Sequence, residues 1–338
     1  ERRARIVRSF HHGRGACDER GAMRDEVPSL WGVVVAGGEG KRLRGFVRDY
    51  LGTDAPKQFC AFLGRRSMVE HTLRRVTWLV PWERLFLVAT ERHRPYVVSS
   101  LGARQAGTVL FQPVGRDTGP GILLSLLHVL RRDPNAVVAI FPSDHFIMPG
   151  RSFMKAVEEA AKFLAWNHLS MTITLAVQPT DANAEYGWIE LGPPVAVCGD
   201  GTLKRMAAFV EKPPVRRARK LLEAGWLWNT TVIVGRVRAL IQLIRRACPE
   251  LAAYFSLVQR ALGTTREAEV VRMAYRMIPS VNFSAAVLAP HAEQLLILPI
   301  DNVLWSDWGK KEHILETLQR LGKPLSAPLN ARHAAMRA

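Results

Sequence analysis

Gly32-Val33-Val34-Val35-Ala36-Gly37-Gly38-Glu39-Gly40-Lys41-Arg42-Leu43 is a β-branched run that breaks first into glycines and then into cations. An uninterrupted apolar run of this length reads as a strand buried on both faces, the habit of a parallel sheet. In such a sheet ligands gather at the carboxyl ends of the strands. Glycines there let backbone N–H groups approach a phosphate with no Cβ in the way. A Walker A loop needs G-x-x-x-x-G-K-[ST] and is excluded, because Lys41 is followed by Arg42 and position 35 is valine. The dinucleotide fingerprint G-x-G-x-x-G is excluded too, since Leu43 stands where its third glycine belongs. A plain strand-to-helix turn remains open as the reading of this loop alone.

Working outward, the pattern alternates. Helical periodicity over 67–79 is followed by a strand over 85–89, a helix over 95–103 and a strand over 108–111. A helix over 121–132, a strand over 136–141, a helix over 153–166 and a strand over 172–177 complete this half. Such alternation implies βαβ crossovers and an α/β fold around a mainly parallel sheet. Beyond Pro179 turn signals multiply, as in Gly192-Pro193-Pro194 and Gly199-Asp200-Gly201, so shorter strands and an α+β texture are expected. Helices are expected over 216–224, 236–247, 251–262 and 312–321, with a strand over 295–298. No internal repeat and no Gly/Ser linker interrupts the chain, which predicts one domain over 30–325. Residues 1–29 form a basic tail with no periodicity, and 326–338 a short C-terminal one. Met23 is one reading of the native start, the residues before it then arising from an upstream start assignment; a native tail is the other.

The 338 residues are 48% hydrophobic and 23% charged, which supports a packed core and excludes a largely disordered chain. No apolar run is long enough to span a membrane, and the Arg-rich start lacks the apolar stretch of a secretory signal. The four cysteines form no C-x-x-C pair and read as reduced thiols of a cytoplasmic protein. A net charge of +17 invites a nucleic-acid reading. However, only ten of the 47 basic residues are lysine, and the basic residues are spread along the chain without an aromatic-lined strip. Arginine enrichment of that kind follows from a G+C-rich genome, so anionic small substrates are the better match and no nucleic-acid partner is expected. The scarcity of lysine lends weight to any lysine at a chemically meaningful position.

Several further stretches carry chemistry. Pro56-Lys57-Gln58-Phe59 holds one of those few lysines. The segment Gln112-Pro113-Val114-Gly115-Arg116-Asp117-Thr118-Gly119-Pro120 runs from a strand end into a helix. Its polar cluster can hold a base or phosphate, or simply cap the helix through Asp117 or Thr118. Pro142-Ser143-Asp144-His145 ends a central strand on an acid, and Trp305-Ser306-Asp307-Trp308-Gly309 places a second acid after a late strand. An acid at a buried strand end is costly unless it is paired or metal-bound. Facing phosphates, it is a natural ligand for a hard ion such as Mg²⁺. Glu185-Tyr186-Gly187-Trp188-Ile189, Phe209-Val210-Glu211-Lys212-Pro213 and Trp228-Asn229-Thr230 set polar groups among aromatics, as a sugar pocket requires. Read singly, each is equally a satisfied surface group.

Taken in order, these stretches resemble the sugar-phosphate nucleotidyltransferases (sugar-nucleotide pyrophosphorylases), most of all the mannose-1-phosphate guanylyltransferases. That family opens with a strand and G-G-x-G-x-R-L, matched by Gly37 to Leu43. Its P-K-Q-F, its P-x-x-R-[ND]-T-[AG]-P segment and its P-S-D-H follow at Pro56, Pro113 and Pro142. Its Y-G-[YW]-I, F-V-E-K-P, W-N-[ST] and W-x-D-x-G elements follow at Tyr186, Phe209, Trp228 and Trp305. The resemblance spans about 32–321. No hexapeptide repeat or further domain-length block follows, so neither the β-helix nor the cupin that some family members append is expected.

The resemblance implies a mainly parallel Rossmann-like sheet flanked by helices, of the nucleotide-diphospho-sugar transferase type, with α+β elaboration in the second half. It also implies a reaction. A sugar 1-phosphate oxygen attacks the α-phosphorus of an NTP, most simply GTP and mannose 1-phosphate, giving GDP-mannose and pyrophosphate. By carry-over, Arg42 and Lys57 are catalytic, and Asp144 and Asp307 hold Mg²⁺. Gly37, Gly38, Gly40, Gln112, Arg116, Asp117 and Thr118 lie at the nucleotide. Glu185, Gly187, Glu211, Lys212 and Asn229 lie at the sugar phosphate. A homodimer is left open.

The chain also departs from the family pattern. Leu43-Arg44-Gly45-Phe46 replaces L-x-P-L, so the lid of the active site differs. Thr231 stands where a glycine is expected against the sugar, and the 280–288 segment, with Asn282, lacks both acids of its family counterpart. These changes leave a pyrophosphorylase for another sugar or base open, as well as a non-catalytic ligand-sensing relative.

Overall fold

The computed structural model describes residues 29–102, 109–167 and 170–325. The two expected tails, Met23, Cys17, the start of the strand expected at 108 and the end of the helix expected at 103 lie outside the described residues, Ser29 excepted.

Among the described residues eleven strands run in chain order as β1 Leu30–Val35, β2 Leu85–Thr90, β3 Val109–Gln112, β4 Val137–Pro142, β5 Phe146–Met148, β6 Thr172–Val177, β7 Gly187–Cys198, β8 Gly201–Glu211, β9 Leu227–Arg236, β10 Leu295–Ile300 and β11 Leu304–Ser306. Nine of them form one sheet in the order β3-β2-β1-β4-β9-β6-β10-β8-β7, with β7 also reaching β9. The β3-β2-β1-β4 half is parallel throughout, and β6 is parallel to β10. β9 runs antiparallel to β4, β6 and β7, and β8 runs antiparallel to β10 and β7. The sheet is therefore mixed and mostly parallel, with the antiparallel pairs gathered in the second half. β5 and β11 make a separate two-stranded ribbon.

Among the described residues there are ten α-helices: α1 Arg44–Leu51, α2 Met68–Val76, α3 Arg94–Leu101, α4 Thr118–Arg132, α5 Gly150–Asn167, α6 Val215–Glu223, α7 Val237–Ala247, α8 Pro249–Ala261, α9 Glu267–Met277 and α10 Lys311–Arg320. Strands such as β2 and β6 are buried at every position, because apolar cores lie on both faces of the sheet. One core joins α2, α3 and α5 to the sheet through Leu73, Val97, Phe153 and Val157. The other joins α4, α7, α8 and α9 through Leu126, Leu240, Phe255 and Tyr275. A satellite cluster of Leu43, Val47, Phe62, Phe146, Trp308 and Ile314 binds α1 and α10 to the ribbon.

Local chemistry fixes several boundaries. Ser67 and Glu70 form a reciprocal capping box, so α2 starts at Met68. Asp117 caps α4, which begins at Thr118 and takes in the Gly119-Pro120-Gly121 turn signal. Residues 44–51, where the chain departs from the family's L-x-P-L, form helix α1, whose Val47 and Leu51 are buried in the satellite cluster. One expectation is corrected: β7, β8 and β9, at 12, 11 and 10 residues, are longer rather than shorter than the strands of the first half. Gly192, Pro193 and Pro194 sit inside β7, where register shifts let a sheet-edge strand absorb residues that break a central one. Helix α9 was not expected; it is anchored by Tyr275, which is fully buried.

Candidate active site

β1 and β4 pair in register from Leu30 opposite Val137 to Val35 opposite Pro142, so the loops that follow them leave the sheet side by side. The first loop is stitched down by Gln58, whose Nε2 donates to the Ala36 carbonyl at 3.0 Å and to the Gly38 carbonyl at 2.7 Å. Gly40 has φ +63°, and a Cβ there would lie 2.9 Å from the Lys57 nitrogen. Only glycine both adopts that conformation cheaply and allows the two backbones to touch. The second loop delivers Asp144. Lys57 lies between Asp144 and the Asp307 turn. It is 8% exposed, and its ammonium is 3.0 Å from Asp144 Oδ2 and donates to the carbonyls of Asp307 and Trp308. The ion pair and the two carbonyls together make burial of this cation tolerable.

Asp307 follows β11. Its Oδ1 accepts the Gly309 N–H at 2.7 Å and lies 3.4 Å from His313 Nδ1. Burial opposes its ionisation, but the His313 contact, Lys57, His145 and the Gly309 N–H outweigh burial and hold the carboxyl well below the usual carboxylate range. His145, beside Asp144, is pushed down chiefly by burial, Asp144 and Asp307 opposing the shift.

The facing wall comes from the antiparallel strands. Gly187 is paired with Glu211 across β7 and β8, and Trp188 with Trp228 across β7 and β9. A Cβ on Gly187 would lie 2.9 Å from Glu211 Oε2, so the missing side chain makes room for that carboxylate. Burial raises the Glu211 carboxyl; Lys212 lowers it, and Asp117 adds to the rise. Glu185 behaves oppositely, lowered by its hydrogen bond to Lys310 against the effect of burial, with Arg42 helping. Its two oxygens are divided between Arg42 and Lys310, the latter at 3.0 Å. Asn229 is 2% exposed; its Oδ1 accepts from Thr174 Oγ1 and from the Thr231 N–H, each at 3.0 Å. Its Nδ2 has no partner among the described residues. Thr231 has φ +56° and Lys212 φ +44°, a conformation costly for side-chain-bearing residues and above all for a β-branched one.

Between the walls lies a cavity of about 300 Å³. Of the expected site residues, Gly38, Arg42, Lys57, Thr118, Asp144, Glu185, Gly187, Glu211, Lys212, Asn229 and Asp307 line it. Five others stand behind its wall. Gly37 packs over the Gln112 amide, and Gln112 accepts from the Tyr275 hydroxyl at 3.1 Å. Gly40 packs on the Pro56–Lys57 backbone. Arg116 points away, its Nε donating to the Tyr275 carbonyl at 3.1 Å, because the end of α9 offers it free acceptors. Asp117 caps α4 and takes a bond from Asn282. Sequence reasoning gave no role to Gln58, Lys310 or His313. Gln58 was visible within Pro56–Phe59, whereas Lys310 and His313 carry no local signal. Among the described residues, no group of three or more His, Cys, Asp or Glu side chains forms a ready-made metal site. Among the described residues no helix is long and apolar enough to cross a membrane.

The arrangement offers cations and open backbone on one side, directional sugar-type hydrogen bonds on the other, and two carboxylates at the junction. A family model described as nucleotidyl transferase matches residues 31–323. A mannose-1-phosphate guanylyltransferase of Salmonella muenchen is 31% identical over 82% of this chain and 57% of its own. The xanthan biosynthesis protein XanB of Xanthomonas campestris pv. campestris (strain B100) is 29% identical over 89% of this chain and 61% of its own. The chain thus spans about 57–61% of the length of these curated relatives. A crystal structure described as mannose-1-phosphate geranyltransferase from Thermus thermophilus superposes with TM-score 0.69 and 26% identity, over 83% of this chain and 76% of that one.

Proposed function

The chain belongs to the nucleotidyl transferase family, and from that premise we propose that it transfers the guanylyl group of GTP to mannose 1-phosphate, releasing pyrophosphate and GDP-mannose. The observation that carries the reading is the convergence on one cavity of Arg42, Lys57, Asp144 and Asp307 with Glu185, Glu211, Lys212 and Asn229. The names of the curated relatives support it.

In this reading the phosphate of the sugar is already an anion and needs no general base. One of its oxygens attacks the α-phosphorus, the bond from that phosphorus to the bridging oxygen breaks, and pyrophosphate leaves with the electron pair. Such chemistry depends on positioning and on neutralising charge. The Gly38 backbone and Arg42 receive the triphosphate. The Arg42 side chain is about half exposed, and its bond to Glu185 is of the surface kind that exchanges at little cost. Lys57, fixed beside Asp144, faces charge developing on the leaving group. Lys212 meets the sugar phosphate, while Asn229 Nδ2, Glu185 and Glu211 address sugar hydroxyls.

Asp144 and Asp307 would hold Mg²⁺. Among the described residues neither Asp144 Oδ1 nor Asp307 Oδ2 takes a hydrogen bond, and two carboxylate oxygens suit a hard ion that draws its remaining ligands from substrate and water. Bound there, the ion would neutralise phosphate charge. Free thiols at Cys60, Cys198 and Cys248 support a cytoplasmic setting.

The test is pyrophosphate release with Mg²⁺, each common NTP and a panel of sugar 1-phosphates. Turnover with GTP and mannose 1-phosphate is expected. Turnover only with another pair would reassign base or sugar, and no turnover with any pair would favour a ligand-sensing relative.

A further inference from the structure

Behind Asp307 a chain of hydrogen bonds returns to the opposite wall of the cavity. The Glu185 N–H donates to Asn183 Oδ1 at 2.9 Å. The amide oxygen of Asn183 is thereby committed, and its Nδ2 faces the His313 ring, 3.0 Å from Nε2. The reversed amide would set two donors against each other at Glu185. An amide nitrogen only donates, so Nε2 accepts and carries no proton. The proton of a neutral ring is then on Nδ1, which lies 3.4 Å from Asp307 Oδ1 and 3.2 Å from the Tyr186 hydroxyl. The Gly309 N–H donates to the same Oδ1. With two donors converging on Oδ1, Oδ2 is left on the side of Arg42; a Cβ on Gly309 would lie 2.6 Å from Oδ2 and 3.1 Å from Arg42 Nη2.

We propose that His313 is a positioning residue for nucleotidyl transfer: held by Asn183 as its Nδ1–H tautomer, it fixes the Asp307 carboxylate with Oδ2 presented to the cavity. The inference rests on the reading of Asp307 given above. It extends that reading because the group that sets the tautomer is the backbone of Glu185, whose side chain grips Arg42 and Lys310. The orientation of one acid is thus tied to the residue that holds the cations of the other wall. Outer partners of this type typically change metal affinity or activity by about 10- to 100-fold when removed.

The test begins with the wild-type protein free of substrate. Long-range ¹⁵N–¹H correlation is expected to show the neutral His313 ring protonated at Nδ1. A ring protonated at Nε2 overturns the proposal. Two variants separate positioning from packing. Asn at 313 can place its amide nitrogen near the site of Nδ1, whereas Gln reaches toward Asn183 and leaves Asp307 without that donor. His313→Asn is expected to keep kcat within a few-fold of wild type, and His313→Gln to lose about 10- to 100-fold in kcat with little change in KM for the sugar phosphate. Equal losses in the two, at matched melting temperature, overturn it. If His313→Gln fails to fold, the tautomer measurement still decides. Absence of transfer by the wild-type protein would sink the functional reading instead, leaving the tautomer result to stand on its own.

Discussion

On one wall of the cavity Gly38, Lys57 and Asp144 arrive on loops anchored to parallel strands with apolar cores on both faces. On the other, Glu185, Glu211, Asn229 and Thr231 sit on or beside the antiparallel strands β7, β8 and β9. The first wall is held by backbone contacts: Gln58 on two carbonyls, Gly40 against Lys57, and the ammonium of Lys57 on the Asp307 turn. The second is made of side chains, and two of its residues, Lys212 and Thr231, hold left-handed backbone that their side chains disfavour. The contrast teaches that, under the proposed function, charge handling would be built into the scaffold, while the wall assigned to the sugar could be altered residue by residue.

Three expected outcomes sharpen that contrast. The largest concerns the carboxylates at the junction. Asp144→Asn and Asp307→Asn should each reduce turnover by about 10²–10³-fold, the scale seen when one charge-stabilising group is removed from an active site. Both should stay folded but melt below wild type, because Asp144 partners the buried Lys57 ammonium and the ionised Asp307 contributes stability near neutral pH; a near-normal rate in either would remove that residue from the reaction and blur the distinction between the walls. Next in size, Thr231→Gly relieves a β-branched residue at φ +56°. It should change KM for the sugar phosphate several-fold while leaving KM for the nucleotide unchanged, with stability within about 1 kcal/mol because backbone relief and glycine entropy oppose each other. An equal shift in both KM values would show that the two walls do not act separately.

The smallest effect sets one acid of each wall against the other. Asp307, depressed in the fold, contributes stability above the ordinary carboxyl value of about 3.9 and loses it as pH falls through its lower native value. Glu211, raised by burial, does the reverse. Its contribution is complete below about pH 4.3 and is lost as pH rises through its native value. Thermal melts of Glu211→Gln should therefore lie at or above wild type near neutral pH, and the gap should close below about pH 4. A gap that widens in acid would contradict the burial of this carboxyl.

The parallel half was legible because its signals are local. Val33 to Ala36, Leu85 to Ala89 and Thr172 to Val177 are apolar at nearly every position, and each is bounded by turn or helix residues. The antiparallel half was not, because Gly192-Pro193-Pro194 carries the signature of a turn, and only pairing with β8, register shifts included, shows it to be strand. Helix α1 was hidden for a related reason: Gly45 in its first turn reads as a breaker, and the Val47 and Leu51 that anchor it face a cluster assembled from distant segments. In the site, motif order pointed to the residues that line the cavity, but it could not separate those facing inward from supports such as Gln112 and Arg116. That distinction depends on α9, which lies more than 140 residues away in sequence. His313 was invisible, since its meaning comes entirely from Asn183 and Asp307.

β9 is laddered along one edge to β4, from Val137 opposite Arg236 to Ile140 opposite Ile233, and further down to β7 at Leu227 and Trp228, while its other edge is laddered to β6. The two walls therefore share a strand, where a bilobal enzyme would have a linker. Closing like jaws would tear that ladder, so rigid-body bending is a poor way for this molecule to admit or expel the proposed nucleotide. Entry and exit fall instead to the long rim side chains Arg42, Lys212 and Lys310, each about half exposed.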